Sequence, residues 1–375
     1  MLKGINLTLL IGPGVPVPVP QSVLDSLQSV QVNHGSEGNG FDLSFTVSKD
    51  SLLTNTLLPA GYFDPIITRV MIIVTLNGMP NLIMDGFVTQ QEVAPSNEVG
   101  QSTLSIKGKD ISVAMDLVKV TIPYPAMTDT IKALIILARY AWLGVIPLVI
   151  PSPIPVTKSP TNSWDCQTDH TDLEYLNALA ARAGYIFNII PGPLPGQSIA
   201  YLGPDANLPI PQPALSIDMD AHTNVESLNF SLNVEQKEVK VFTVYDPITK
   251  KIPILIPVPN VDIFKPPLGI RPTPPAKLSF AKDSTKRSLA EASRDILAHL
   301  MSGSNAVSAS GSLDVLRYGH ILRSRMLVGV RGASLAYDGL YYVDSVSHNI
   351  KAGEYKQNFS LSRDGLISNT PRVLL

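Results

Sequence analysis

Residues 171–201 read TDLEYLNALAARAGYIFNIIPGPLPGQSIAY, and their order predicts one helix feeding one hairpin. Thr171 is placed to cap, because its hydroxyl can accept from a backbone N–H in the first turn. Glu174, three residues on, can accept back from the cap's own N–H and complete a capping box. Leu173, Leu176, Leu179, Ala180 and Ala183 recur at steps of three and four, which makes one face apolar. Gly184 follows where a left-handed C-cap residue is wanted. Tyr185 to Ile190 is aromatic and β-branched and reads as a strand. A Pro/Gly turn then leads to a second strand, Ser198 to Leu202. No side chain in this unit is chemically reactive, so its residues alone speak for packing.

The rest of the chain sets bounds. Its 375 residues are enough for two or three domains. With 45% apolar residues a sizeable core is feasible and wholesale disorder is not expected. A net charge of -2 gives no global pull toward nucleic acid or an anionic membrane. Cys166 is the single cysteine, so no intramolecular disulfide can form, which fits a reducing cytoplasm. Ala133 to Ile150 is the most membrane-like run, but Arg139 and Pro147 interrupt it. No stable membrane insertion is expected. Met1 to Leu10 is not a convincing secretory signal, since the Pro-Val alternation after Gly12 breaks any helix.

In chain order, Gly12 to Pro20 reads as an extended arm. Leu27–Asn33, Phe41–Val47, Arg69–Leu76, Leu82–Val88 and Ser102–Lys107 read as five strands. They are punctuated by an Asn77-Gly78 hairpin signal and a turn near Met79–Asn81. Lys109 to Tyr124 reads as a connector with short extended pieces. A helix follows from Thr128 or Asp129 to about Trp142, its buried stripe expected at Ile131, Leu134, Ile135, Ala138 and Ala141, with Lys132 and Arg139 off it. Proline-spaced strands cover Val145 to Val156. Beyond residue 209, Leu215–Met219, Val225–Leu232 and Val239–Tyr245 are strand candidates. The insertion 251–277 is too proline-rich for a central strand and too apolar for a solvated linker. A helix is expected over 285–301 with Leu289, Ile296, Leu297 and Leu300 inward, ended by Ser302-Gly303-Ser304. Ala306–Leu313, Met326–Val330, Leu340–His348 and Glu354–Leu361 complete an all-β end. The expected division is therefore 1–108, an extended arm and first β-barrel; 109–208, an α+β middle domain; and 209–375, a second β-barrel.

No HExxH, CxxC, GxSxG or phosphate loop occurs. Asp165, Cys166, Asp169, His170 and Asp172 form the densest ligand-like run, but acids just before a helix are favoured by its dipole in any case. Asp218, Asp220 and His222 alternate as on one strand face, without the glycine turn of a calcium loop. Arg317, His320, Arg323, Arg325 and Arg331 crowd a stretch without an intervening acid from 316 to 331, a solvated rim or a contact to an acidic partner. No catalytic residue, metal site or cofactor is assigned.

The order of residues carries more than their chemistry. Asp172, Leu173, Tyr175, Leu176, Leu179, Ala180, Ala183, Gly184 and Tyr185 resemble a segment of the baseplate hub proteins of contractile tails. That family comprises the phage late control D proteins and the hub half of type VI secretion spikes. Further matches are Leu316-Arg317-Tyr318-Gly319, Leu327 to Gly332, and Tyr337-Asp338-Gly339-Leu340-Tyr341-Tyr342-Val343. After these come Val346, His348 and a strand, Tyr355 to Arg363, that ends Leu-x-Arg. Asp110 to Thr130 is similar as well. Together they touch about a third of the chain.

The resemblance implies a mainly β fold with an α+β insertion, in which two small antiparallel, tail-tube-like β-barrels flank a helix-hairpin middle domain. It implies a homotrimer whose ring of six barrels matches the six-fold tail tube protein above to a three-fold spike below, other baseplate components beside it, and no specific nucleic acid. The chain ends soon after its last strands, so a separate spike protein is expected. Assembly would take place in the bacterial cytoplasm, with the product a part of the tail or injection particle. The alternatives are a tail-associated peptidoglycan hydrolase and a receptor-binding tail protein.

Overall fold

The computed structural model describes residues 4–35, 38–48, 51–98, 101–154, 165–192, 194–205, 208–245, 253–259, 265–281, 289–301, 303 and 305–369. The first third holds β1 (Ile5–Pro13), β2 (Val17–Pro18), α1 (Gln21–Asp25), β3 (Leu27–Gly35), β4 (Gly38–Val47), β5 (Thr68–Leu76), β6 (Met79–Ala94) and β7 (Ser102–Asp110). The middle holds β8 (Lys119–Tyr124), α2 (Asp129–Ala138), β9 (Val145–Val149), β10 (Asp165–Thr171), α3 (Asp172–Ala183), β11 (Ile186–Pro191) and β12 (Ser198–Gly203). The last part runs β13 (Leu208–Ser216), β14 (Val225–Leu232), β15 (Glu238–Tyr245), β16 (Pro253–Pro259), β17 (Gly269–Pro272), β18 (Lys277–Phe280), α4 (Leu289–Met301), β19 (Val307–Asp314) and α5 (Val315–Tyr318). β20 (Met326–Arg331), β21 (Gly339–Lys351), β22 (Glu354–Arg363) and β23 (Gly365–Ser368) close it. The protein is mainly β, as expected.

Most expected strands form, although 217–219 and 150–154 are not strand, and the pairing adds what periodicity does not contain. One sheet runs β14-β19-β22-β21-β3-β4-β7-β6-β5-β1-β2, with β20 on β21 and β13 on β20. The first and last thirds therefore share a single sheet, joined where β21 lies antiparallel to β3, Val346 opposite His34 and Ile350 opposite Val30. Among the described residues no strand pair closes this path on itself. One hydrophobic core follows it, from Leu9 and Ile11 through Val32, Leu43 and Ile72 to Tyr341, Val343 and Leu361. A second core belongs to the middle, where Ile136, Leu137, Tyr175, Leu176, Leu179 and Ala180 meet Phe87 from the sheet.

Several expectations are corrected. The N-terminal segment is not only an arm: β1 pairs with β5 along its whole length, and only its continuation, with Val15 and Val17, is exposed. The hairpin turns at Asn77-Gly78, both at positive φ, as a two-residue turn of this type requires; Met79–Asn81 is already strand. The Pro-rich stretch supplies β16, which among the described residues is an edge strand paired with β15 alone, where a residue lacking N–H is tolerated. Among the described side chains of α4 the most buried are Ala292, His299 and Met301, with Ile296, Leu297 and Leu300 half-buried; the side chain of Leu289 lies outside those described. Residues 155–164, 246–252, 260–264, 282–288, 302 and 304, which carry parts of the expected strands, insertion and helix end, lie outside the described residues.

The largest correction concerns α2. Its buried face is Lys132, Ala133, Ile136 and Leu137, while Ile131, Leu134, Ile135 and Ala138 face out. The helix is apolar nearly all round, so the three-four rhythm fits two faces equally and cannot choose between them. Lys132 settles the choice: its stem runs inward and its ammonium meets Asp165 and Asp129.

In urea unfolding, Ile136→Ala should cost about 2–5 kcal/mol, as large-to-small changes in a core do. Ala138→Ser should stay within about 0.5 kcal/mol of zero. The opposite ranking would restore the stripe that periodicity alone suggests.

Candidate functional site

The helix-hairpin unit is built as its residues predict. Thr171 Oγ1 accepts from Glu174 N (3.1 Å), and Thr171 N donates to Glu174 Oε2 (2.9 Å). Asp172, first residue of α3, takes Arg139 at 3.1 Å, Tyr140 Oη at 2.9 Å and Gln167 Nε2 at 2.9 Å. Tyr175 stacks on Tyr124 at 5.7 Å between ring centres, and Leu176, Leu179 and Ala180 fill the core. Gly184 ends the helix at φ +71°, and a Cβ there would stand 2.5 Å from Ala298 Cα, so α4 packs against bare backbone. Tyr185 Oη donates to Pro151 O (3.1 Å).

Beneath this unit lies a buried charge cluster. Lys132, 2% exposed, meets Asp165 at 2.5 Å and Asp129 at 2.9 Å; Arg182 reaches Asp165 at 3.0 Å, and Arg294 of α4 reaches Asp129 at 3.4 Å. Burial pushes the Asp165 carboxyl up, but the hydrogen bond from Lys132 and the charges of Arg182 and Lys132 outweigh it and hold it below its ordinary value. The run 165–172 therefore does not converge as a ligand set. Asp165 and Asp172 point at different cations, Cys166 is exposed, and Asp169 lies 3.8 Å from Lys119. Asp218, Asp220 and His222 are not on a strand: the two acids have positive φ, and 220–222 is a short 3-10 turn. Among the described residues no three His, Cys, Asp or Glu stand close enough to hold a metal ion.

The C-terminal motif residues form a second framework. Asp338 Oδ1 accepts from Ala333 N (2.8 Å) and Ser334 N (3.3 Å), pinning the turn before Gly339. Arg363 is fully buried without a carboxylate: Nε donates to Gly365 O (2.8 Å), Nη1 to Asp338 O (2.9 Å) and Nη2 to Ala336 O (2.8 Å), and the guanidinium lies 4.4 Å over the Tyr341 ring. Tyr337 stacks on Phe230 of β14, Tyr342 Oη donates to Pro266 O (2.9 Å), and Val343 sits in the core. The arginines of 316–331 do not form one patch. Arg323 donates to Asn81, Arg325 lies 3.6 Å from Asp205, and Arg331 donates to Ser216.

Three joints tie the parts together, and of their residues sequence reasoning had named only Asp110 and His348, without these roles. Arg69 of β5 and Asp85 of β6 form a buried two-point fork (2.7 and 2.8 Å), and Arg69 Nη2 also donates to Leu143 O (3.1 Å) in the middle part. Burial pushes Asp85 up, and the Arg69 fork acts against that. Asn39 Nδ2 donates to Asp110 Oδ2 and to Ile189 O, both at 2.9 Å, linking β4, β7 and β11. At the β3–β21 seam the His34 and His348 rings meet edge-on, 5.3 Å apart. His348 is buried with its Nδ1 2.7 Å from Tyr355 Oη and 3.3 Å from Gln357 Nε2; Asn39 Oδ1 lies 3.4 Å from His34 Nδ1. Burial, then the neighbouring His34 and Arg323, push His348 well below its ordinary value; burial does the same to His34. An Arg-Asp pair 16 residues apart and a His far from any other motif give no local signal.

The surface carries the remaining candidate. Ile131, Leu134, Ile135 and Trp142 are exposed, and so are Ile146 and Leu148 on the side of β9 turned away from the core, β9 being the end strand of the sheet β11-β12-β9 among the described residues. Among the described residues no helix is long and apolar enough to cross a membrane.

No protein-family model and no curated protein sequence matches the chain. Solved structures do. A tail protein from Neisseria meningitidis MC58 matches with TM-score 0.63 at 13% identity, over 97% of this chain and 98% of that one. The 43 kDa tail protein of prophage MuSo2 from Shewanella oneidensis matches with TM-score 0.62 at 15% identity, over 97% and 100%. The E. coli c3393 protein, a type VI secretion component with structural similarity to the T4 tail proteins gp27 and gp5, matches with TM-score 0.52 at 9% identity, over 93% and 78%. The chain has the fold of these tail and secretion-system proteins.

Asp85→Ala should cost about 3–5 kcal/mol by leaving Arg69 buried and unpaired, and the double change Arg69→Met, Asp85→Leu should recover most of that in denaturant melts. The histidine seam fixes a pH dependence. Both folded rings titrate below the unfolded value of about 6.5, so the unfolded chain binds more protons beneath that pH. Stability is full above about pH 6.5 and falls as the pH drops below it. Melts of the natural chain and His348→Gln at pH 7.5 and 5.0 should show the larger loss in the natural chain; equal losses would remove the seam from the pH response.

Proposed function

We propose that the chain is a structural, non-enzymatic baseplate hub of a contractile phage tail or a phage-tail-like injection system. Three copies form a ring that adapts the six-fold tail tube to a three-fold spike, with the tube protein above, a separate spike protein below and other baseplate components alongside. The ring is assembled in the bacterial cytoplasm and stays in the particle. The observation that carries this reading is likeness of fold over essentially the entire chain to two tail proteins, each matched end to end.

The sheet supports it physically. Its path ends at β14 on one side and β2 on the other, each with one strand partner among the described residues. End strands are templates for pairing with another chain, and rotational closure removes them. In this reading the two halves of the sheet are the two tube-like barrels of the hub, completed by strands of neighbouring copies. The charge cluster and the caged Arg363 hold the framework rigid rather than perform chemistry, which is why the conspicuous residues of 172–185 and 337–363 point inward.

Light scattering on the purified chain should give about 121 kDa, three times 40.4 kDa, and negative-stain images of the same peak should show a ring with a central hole. A chain that stays at 40.4 kDa, alone and with its spike protein, overturns the hub. A cleared band on a cell-wall zymogram overturns the non-enzymatic reading in favour of a hydrolase.

A further inference from the structure

The large sheet has two faces, and the one turned away from its core is uncharged across five strands. On β14, β19, β22, β21 and β3 the inward positions are apolar and buried, Leu228, Ala309, Phe359, Val346 and Val32 among them. The outward positions line up by register. One row runs Ser227, Ser312, Asn358, Ser347, Asn33, and the next Asn229, Ser310, Ser360, Ser345. Each of these side chains is exposed or half-buried. Charge returns at the margins, where Lys356 is bridged by Glu226 at 2.9 Å and Glu354 at 3.0 Å, and Asp344 accepts from Ser362 at 2.8 Å.

Strand formation does not ask for these residues. Asparagine is depleted in strands and threonine is the hydroxyl side chain they favour, yet neither row holds a threonine. The face does not have the make-up of a contact surface either, whose core is enriched in aromatic, Met and Arg side chains and depleted of serine. Much of its hydrogen-bonding capacity is used sideways. The hydroxyls of Ser227 and Ser312 share a hydrogen bond of 2.9 Å, those of Ser345 and Ser360 one of 2.6 Å, and Ser347 Oγ donates to Asn33 Oδ1 at 2.6 Å. The face is also hollowed: a depression of about 490 Å³ crosses it at the β3–β21 seam, lined in part by Asn33, Ser345, Ser347, Asn358 and Ser360.

We infer that this face is the inner wall of the ring, a neutral lining of hydroxyls and amides along which a charged polymer passes without being held. The inference rests on the trimeric reading above and specifies which surface meets the cargo. An inner wall curves toward the ring's axis, and the hollow lies on this side of the sheet. Lysines or arginines here would hold a polyanion by displacing its counterions. Apolar side chains would expel water and close the passage by dewetting. Rows of hydroxyls and amides bonded to one another keep the wall wet and give a passing chain no charge to stop at.

The test uses the full chain with Ser310→Arg and Asn358→Arg together, both at exposed positions. Duplex DNA serves as a rod-shaped polyanion, because a ring can thread a linear duplex but not a covalently closed circle. In a gel-shift assay at low salt the variant should retain the linear duplex and not the circle, while the parent retains neither. Equal retention of the circle puts the face on the outside and overturns the inference, as does retention of neither by the variant. A second measurement needs no added charge. On a Cys166→Ser background, Ser310→Cys and Trp142→Cys are labelled with biotin-maleimide. Streptavidin, too wide to enter the ring, should capture the folded protein labelled at 142 but the protein labelled at 310 only after denaturation. Capture of the folded protein through the label at 310 overturns the inference. Light scattering on the same samples separates the two readings: a trimer with a contrary result overturns the wall and leaves the hub standing, whereas a monomer overturns both.

Discussion

Much of this structure depends on the strand pair β3–β21. Residues 29–34 lie opposite 346–351 in one continuous register, which makes one sheet of the two ends of the chain. Because side chains alternate, Val30 and Val32 face the core from one strand, and Val346, His348 and Ile350 from the other. A slip of one residue would turn all five to solvent and bring their polar neighbours in, so the register is fixed by burial. His348 is in the core for the same reason: it occupies an inward position between two aliphatic ones. Its burial is tolerable because Tyr355 and Gln357, on the next strand, give its Nδ1 partners.

The other joints work by the same economy of position. Arg69 and Asp85 gain little stability over an apolar pair of equal volume, since both charges lose their water. What the fork adds is direction. The guanidinium has donors left over for Leu143 O, so the middle part can sit on the sheet in only one way without orphaning them. Asn39 repeats the device between β4, β7 and β11. Lys132 does so inside the middle part, where β10, α2, α3 and α4 all send a charge to one place.

How much of this was legible follows from the range of each signal. The capping box at Thr171 and Glu174, the left-handed Gly184 and the Asn77-Gly78 turn are local and are found as read. The alternating strands are local too. The face of α2 was misread because an all-round apolar helix has no periodic preference, and the deciding contact, Lys132 to Asp165, spans 33 residues. β1 was missed because its pairing partner, not its composition, makes it a strand. The motif residues were recognised as a pattern, but their roles were not in the pattern: that Arg363 is caged by three carbonyl oxygens and an aromatic ring, or that Asp338 pins the turn before Gly339, appears only when distant segments meet. The mainly β, tail-protein-like fold could be read from the order of elements; the sheet that strands of the first and last thirds share could not, because pairing between distant segments leaves no local signal.

In the proposed hub the conspicuous polar residues and the exposed apolar ones have different tasks. A chain that works by assembly needs a rigid body and exposed complementary faces, and the two demands fall on different residues. Rigidity is supplied by buried polar side chains with all-protein partners, which accounts for Asp165, Asp172 and Arg363 pointing inward. Complementarity is left to uncharged side chains such as Ile131, Leu134 and Trp142, whose exposure costs the isolated chain contact with water and is repaid only against another apolar face. Apolar side chains of α2 lie outward while charges are locked within the middle core, which suits the building block of a larger particle that the proposed function describes.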